Sequence, residues 1–97
     1  MNGGKEKMRK TKVQEKYGIT MEQYEQMFVA QGGLCAICGK PERQKIGNVI
    51  RGLSIDHDHK TNKIRELLCH RCNVSIGLMG ESVDVLASSI RYLTKHM

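Results

Sequence analysis

Ninety-seven residues carry sixteen Lys and Arg against ten Asp and Glu, a net charge of +6, with four cysteines, three Tyr, one Phe and no Trp. A chain this short forms one domain whose apolar core would be marginal unaided, so the cysteines are the expected staple. No run is apolar enough for a signal-peptide core or a membrane span, and the positive excess fits an anionic partner, nucleic acid first, and a generic solvated surface about equally.

In chain order, residues 1–10 read as a flexible basic arm, with Gly3 and Gly4 ahead of a charge-dense stretch that lacks apolar periodicity. Residues 11–97 then form a single domain. A short helix is predicted over 10–16, stopping near Gly18. The clearest helix is "ITMEQYEQMFVAQGG": Thr20 and Gln23 have the spacing of a capping box, and Ile19 can staple against Tyr24. Met21, Tyr24, Met27 and Phe28 fall on one face, a stripe that reads as core packing, and Gly32-Gly33 ends the run.

Between Cys38 and Leu53 the glycines at 39, 47 and 52 and Pro41 predict loop. "LSIDHDH" and "KIRELLC" each alternate apolar and polar residues around a Lys-Thr-Asn turn. Together they predict a β-hairpin in which Asn62 takes a left-handed backbone. A helix over about 70–79 follows. A last helix opens at Ser82, with Val83, Leu86, Ala87, Ile90 and Leu93 as its apolar stripe.

Cys35/Cys38 and Cys69/Cys72 are two C-x-x-C pairs, four thiolates of the kind that hold a tetrahedral structural Zn²⁺. Thirty residues separate them, so an element is inserted between the knuckles. A pair of redox motifs would need a βαβ setting that is missing. With no targeting segment the cytoplasm is the expected compartment, where thiols stay reduced and cysteine pairs more often bind metal than form disulfides. His70, between Cys69 and Cys72, is surplus as a ligand and reads as a helix-start residue.

Asp56-His57-Asp58-His59 is open to three readings: a polar strand end, a second structural metal site, or catalysis with a carboxylate-held cation and a histidine base. A regular strand would send Asp56 and Asp58 to one face and His57 and His59 to the other. The hairpin leads into Cys69, and Asn73 directly follows Cys72. A carboxylate and an amide oxygen from two zinc-anchored elements could share one hard cation, Mg²⁺ or Mn²⁺.

With these motifs in order, "LCAICGK … LSIDHDHKTNKIRELLCHRCNVSIGLMG" resembles the recombination endonuclease VII family, within the HNH or His-Me finger nucleases common in phages and prophages. The resemblance runs over about residues 17–96. It implies an α+β fold, a small zinc-stapled ββα-metal domain with flanking helices, and metal-dependent hydrolysis of phosphodiester bonds in double-stranded DNA. By position it implies that Asp56 and Asn73 hold the catalytic Mg²⁺ or Mn²⁺ and that His57 is the general base. It further implies that His59 contacts the phosphate or leaving group, and that Cys35, Cys38, Cys69 and Cys72 bind zinc. Lys60, Lys63 and Arg65 are the expected contacts to backbone phosphates. A phage origin would place the enzyme in the host cytoplasm, as a monomer or homodimer, with other phage proteins as further partners. The chain departs from the family at Asn62 and Glu66, where many relatives have Gly, and at Ile76, where the junction-resolving member has an acid. Nicking or double-strand cutting is therefore expected ahead of junction resolution. The competing expectation is a non-catalytic zinc-bound nucleic-acid-binding module.

Overall fold

The computed structural model of the protein describes residues 18–97; the expected basic arm and the short helix over 10–16 lie outside the described residues. The architecture is α+β. Helix α1 (Met21–Ala30) is followed by a minimal hairpin of β1 (Lys45–Ile46) and β2 (Val49–Ile50), and by a second hairpin of β3 (Ser54–His57) and β4 (Ile64–Leu68). Two helices close the chain, α2 (His70–Leu78) and α3 (Val83–Lys95).

Helix α1 starts where the capping box sits: Thr20 Oγ1 accepts the Gln23 N–H at 3.0 Å, and Gln23 Oε1 accepts the Thr20 N–H at 2.7 Å. Met21 is buried, and Tyr24 and Met27 pack on the core with Ile19. Phe28 stays 40% exposed and lies over Gly33 instead. The Tyr24 hydroxyl donates to the Leu53 carbonyl at 2.6 Å, which ties α1 to the approach of β3.

The core is small. Cys35, Leu53, Ile55, Leu67, Leu68, Cys69 and Cys72 form it, so three of its seven buried residues are cysteines. Leu67, the most deeply buried, is bracketed by the Gln31 amide: Oε1 accepts its N–H at 2.9 Å and Nε2 donates to its carbonyl at 2.9 Å. The Leu67 carbonyl also accepts the Ala36 N–H at 3.1 Å, so the first knuckle docks on the outer edge of β4.

The segment expected to be loop contains the β1–β2 hairpin, a correction to the sequence reading. Lys45 pairs with Ile50 and Ile46 with Val49, across a turn in which Gly47 has φ 64. That is the position where a two-residue hairpin turn calls for glycine. All four strand residues are exposed, so no in–out alternation marks the strands in sequence.

In the second hairpin Ser54 pairs with Leu68, Ile55 with Leu67 and His57 with Ile64. Two steps on β3 therefore match three on β4: a bulge lies opposite Asp56. The connecting turn closes through Asp58 and Lys63 and through the Asn62 N–H on the Asp58 carbonyl at 2.7 Å, with Asn62 at φ 62 as expected. Helix α2 packs against β3, completing a ββα unit. Helix α3 starts at Ser82, whose Oγ accepts the Val85 N–H at 3.1 Å. No residue of α3 is buried: Leu86 and Ala87 are half-covered, while Val83, Ile90 and Leu93 of its apolar stripe remain exposed.

Candidate active site and metal centre

The two knuckles meet. Gly39, at φ 70, turns the backbone so that its N–H reaches the Cys35 carbonyl at 3.0 Å and folds the first C-x-x-C on itself. Cys69 is the N-cap of α2, its sulfur accepting the Cys72 N–H at 3.5 Å. The four Sγ atoms of Cys35, Cys38, Cys69 and Cys72 all lie within 4.8 Å of one another, and Cys38 and Cys69 stand 3.8 Å apart. Metal–sulfur bonds of about 2.3 Å give a tetrahedron with edges of about 3.8 Å, so the four cysteines could hold a zinc ion with little adjustment.

The electrostatics of the cluster agree with this fit. Burial pushes the Cys35 thiol up, but the N–H groups of Cys38, Cys69 and Ile37 outweigh it and bring the thiol down to about 6. Cys72 goes the other way, pushed up to about 12 by burial and by the neighbouring sulfurs, and burial raises Cys69 too. One thiolate forms readily and its neighbours resist, so four thiolates need a cation among them.

The acidic and imidazole groups lie at the other end of the hairpin. Asp56 is buried, 8% exposed, and both of its oxygens are taken by Arg65: Nε donates to Oδ2 at 2.5 Å and Nη2 to Oδ1 at 3.0 Å. The bulge decides this pairing. Continuing the Ile55–Leu67 register would set Asp56 opposite Glu66, whereas the shift to His57–Ile64 sets it opposite Arg65. Like charges facing across a ladder destabilise it, and a bidentate guanidinium–carboxylate pair stabilises it. Glu66 is left exposed.

The strand ends at His57, so the expected alternation stops before Asp58. Asp58 serves the turn: its Oδ1 accepts the N–H groups of Thr61 at 3.0 Å and Lys60 at 2.7 Å, which hold its carboxyl below the ordinary carboxylate range. The His57 and His59 rings come together edge-on, with centroids 4.8 Å apart. His59 Nε2 sits 2.8 Å from Glu81 Oε2, so that nitrogen carries its hydrogen. Glu81 also accepts Arg65 Nη2 on Oε1 at 2.6 Å. Asp56, Arg65, Glu81 and His59 are thus one chain of charge-assisted contacts beside an open groove of about 570 Å³, lined in part by Asp58, Lys60 and Gly77.

Asn73 is half-buried in the first turn of α2, its N–H on the Cys69 carbonyl at 3.0 Å. Asp56 and Asn73 stand on the packed pair β3 and α2, and no hydrogen bond joins their side chains. Lys60 and Lys63 are exposed on the hairpin turn. His70 opens α2, and its N–H is capped by Glu42 Oε1 at 2.7 Å.

Comparison with known proteins identifies the lineage. The model of the family described as recombination endonuclease VII matches residues 10–95. The chain belongs to that family. The Gene 59 protein of Mycobacterium phage D29 is 41% identical over 86 residues, 88% of this chain and 49% of that protein. The Gene 59 protein of Mycobacterium phage L5 is 38% identical over 84 residues, 86% of this chain and 48% of that one. The chain spans about half the length of these curated relatives.

Within this member of the family, sequence reasoning missed Glu81, Glu42 and Gln31. Glu81 follows Gly80 in the α2–α3 connection and has φ 53, a backbone conformation that normally costs a residue with a Cβ about 1–2 kcal/mol. Nothing in the local sequence ties it to Arg65 or His59. The Gln31 amide and the Glu42 carboxylate act on backbone groups 36 and 28 residues away, beyond any periodicity.

Proposed function

We propose that this member of the endonuclease VII family is a DNA endonuclease of the HNH type, a single nuclease domain that cleaves phosphodiester bonds by nicking or double-strand cutting. Zinc in the Cys35/Cys38/Cys69/Cys72 cluster holds the hairpin corner and the start of α2 together. Asp56 and Asn73 bind one Mg²⁺ or Mn²⁺, which when bound neutralises charge on the scissile phosphate and leaving oxygen. An imidazole nitrogen of His57 takes the proton from the attacking water as the general base. His59 contacts the phosphate or the leaving group, and Lys60 and Lys63 meet the DNA backbone without reading sequence.

The observation that carries this reading is the packing of β3 against α2, which sets the strand of Asp56 and His57 beside the helix of Asn73. The bidentate Arg65 contact on Asp56 favours a second reading, a zinc-bound nucleic-acid-binding module without catalysis.

Supercoiled plasmid separates the two. With Mn²⁺ or Mg²⁺ the zinc-loaded chain is expected to nick; chelation should stop it, and His57→Ala should slow it by ~10²–10⁴-fold with zinc content unchanged. Plasmid binding without ion-dependent cutting would establish the binding module instead, and equal cutting by His57→Ala would point to a contaminating nuclease and favour that module.

A further inference from the structure

We propose that Arg65 occupies the cation's place on Asp56 and that Glu81 is the acceptor onto which Arg65 moves when a divalent ion binds. This inference rests on the reading of Asp56 as a cation ligand and adds two residues to that site.

Three observations support it. First, Asp56 is the buried charged residue among the described residues, and Arg65 engages both of its oxygens. A cation that binds the edge of the carboxylate turned to Arg65 displaces at least one guanidinium N–H. The Arg65 side chain is 38% exposed and that of Asp56 10%, so of the pair it is the arginine that meets solvent.

Second, the group that must leave already has somewhere to go. Arg65 Nη2 donates to Asp56 Oδ1 and to Glu81 Oε1 at once, at 3.0 and 2.6 Å. Releasing Asp56 leaves the Glu81 contact in place, and the groove lined by Asp58, His59, Lys60, Arg65 and Glu81 leaves room for the swing. The charge balance also holds: a divalent ion replaces the guanidinium on Asp56, and Arg65 stays neutralised by Glu81.

Third, Glu81 stands where the backbone disfavours it. It follows Gly80 with φ 53, and its N–H closes the end of α2 on the Ile76 carbonyl at 2.8 Å. Glycine or asparagine would fill that conformation with less strain, so the strain points to a task for the carboxylate. Its two oxygens hold Arg65 and His59, which makes it a positioning residue that couples the departing arginine to the second histidine.

Mn²⁺ binding to the zinc-loaded full chain, followed by the EPR signal of the free ion without DNA, tests this in four variants. Arg65→Lys keeps the charge but loses the bidentate grip, and should tighten Mn²⁺ binding by about 3- to 10-fold. Arg65→Met removes the competitor and should tighten it by about 10-fold or more. Glu81→Gln withdraws the alternative acceptor and should weaken binding by about 3-fold.

The charge-conserving variant is decisive, because simple repulsion between Arg65 and the ion predicts no change for lysine. Unchanged or weaker binding in Arg65→Lys overturns the exchange. Loss of zinc and fold in both Arg65 variants also overturns it, by making Arg65 a structural ion-pair residue. Asp56→Asn distinguishes the two levels. If it binds Mn²⁺ as the parent does, Asp56 is no ligand, and the functional reading falls together with the exchange. If it loses Mn²⁺ while the Arg65 variants match the parent, only the exchange falls.

Discussion

At the scale of single residues, Asn62 and Glu81 stand in the same region of backbone space for different reasons. Asn62, at φ 62, closes the β3–β4 turn with its N–H on Asp58. Asparagine tolerates that conformation, and glycine tolerates it better. Replacing Asn62 by Gly should leave the stability of the zinc-loaded chain within about 0.5 kcal/mol of the parent, whereas Ala should cost about 1 kcal/mol in urea titrations. The Asn62 conformation was legible because Lys-Thr-Asn lies between two alternating runs. The one at Glu81 was not, since its carboxylate acts on Arg65 and His59, 16 and 22 positions away.

At the scale of elements, the caps of α1 and α3 could be read from Thr20, Gln23 and Ser82, because capping is local chemistry. Helix α2 differs: its first N–H is capped by Glu42, from the segment before β1. Burial pushes the Glu42 carboxyl up, but the N–H groups of Gln44, His70 and Arg43 and the charge of Arg51 hold it below its ordinary 4.5. A carboxyl lowered by folding binds fewer protons in the folded chain than in the unfolded one. Its stabilising effect is therefore complete above pH 4.5 and is lost as pH falls through the lowered folded value. Glu42→Gln should cost about 1 kcal/mol at neutral pH, and the gap to the parent should shrink below about pH 4 in melts recorded across that range. The β1–β2 hairpin escaped the sequence reading because its four residues are exposed and carry no burial alternation. The bulge in β4 escaped too, since it is the fold's way of facing Asp56 with Arg65 rather than with Glu66.

For the whole molecule, the cysteine cluster and the apolar core are one object. Cys35, Cys69 and Cys72 are buried with Leu53, Ile55, Leu67 and Leu68, and α3 adds no buried residue. A core this small cannot offset the ordering entropy of the chain by itself, whereas structural zinc contributes on the order of 10 kcal/mol to folding. Removing zinc with a strong chelator should abolish the cooperative melting transition followed by circular dichroism, and adding zinc back should restore it. Cys69→Ser should fail to take up the metal and melt lower, because it loses a ligand and alters the cap of α2 together. An unaltered transition in zinc-free protein would show that the cluster is not the staple. Among the described residues no helix is long and apolar enough to cross a membrane.

The sequence by itself determined the three described helices, the β3–β4 hairpin and the two cysteine pairs that cluster. Capping residues, alternation around Lys-Thr-Asn and two C-x-x-C pairs act over a few positions, and that is the range at which residue order carries structural information. What only the tertiary structure decided is which charges face one another. The bulge turns Arg65 onto Asp56, and the α2–α3 connection delivers Glu81 to Arg65 and His59. These contacts arise where a strand, a turn and a helix end converge, so their physical cause is the neutralisation of a buried carboxylate in space.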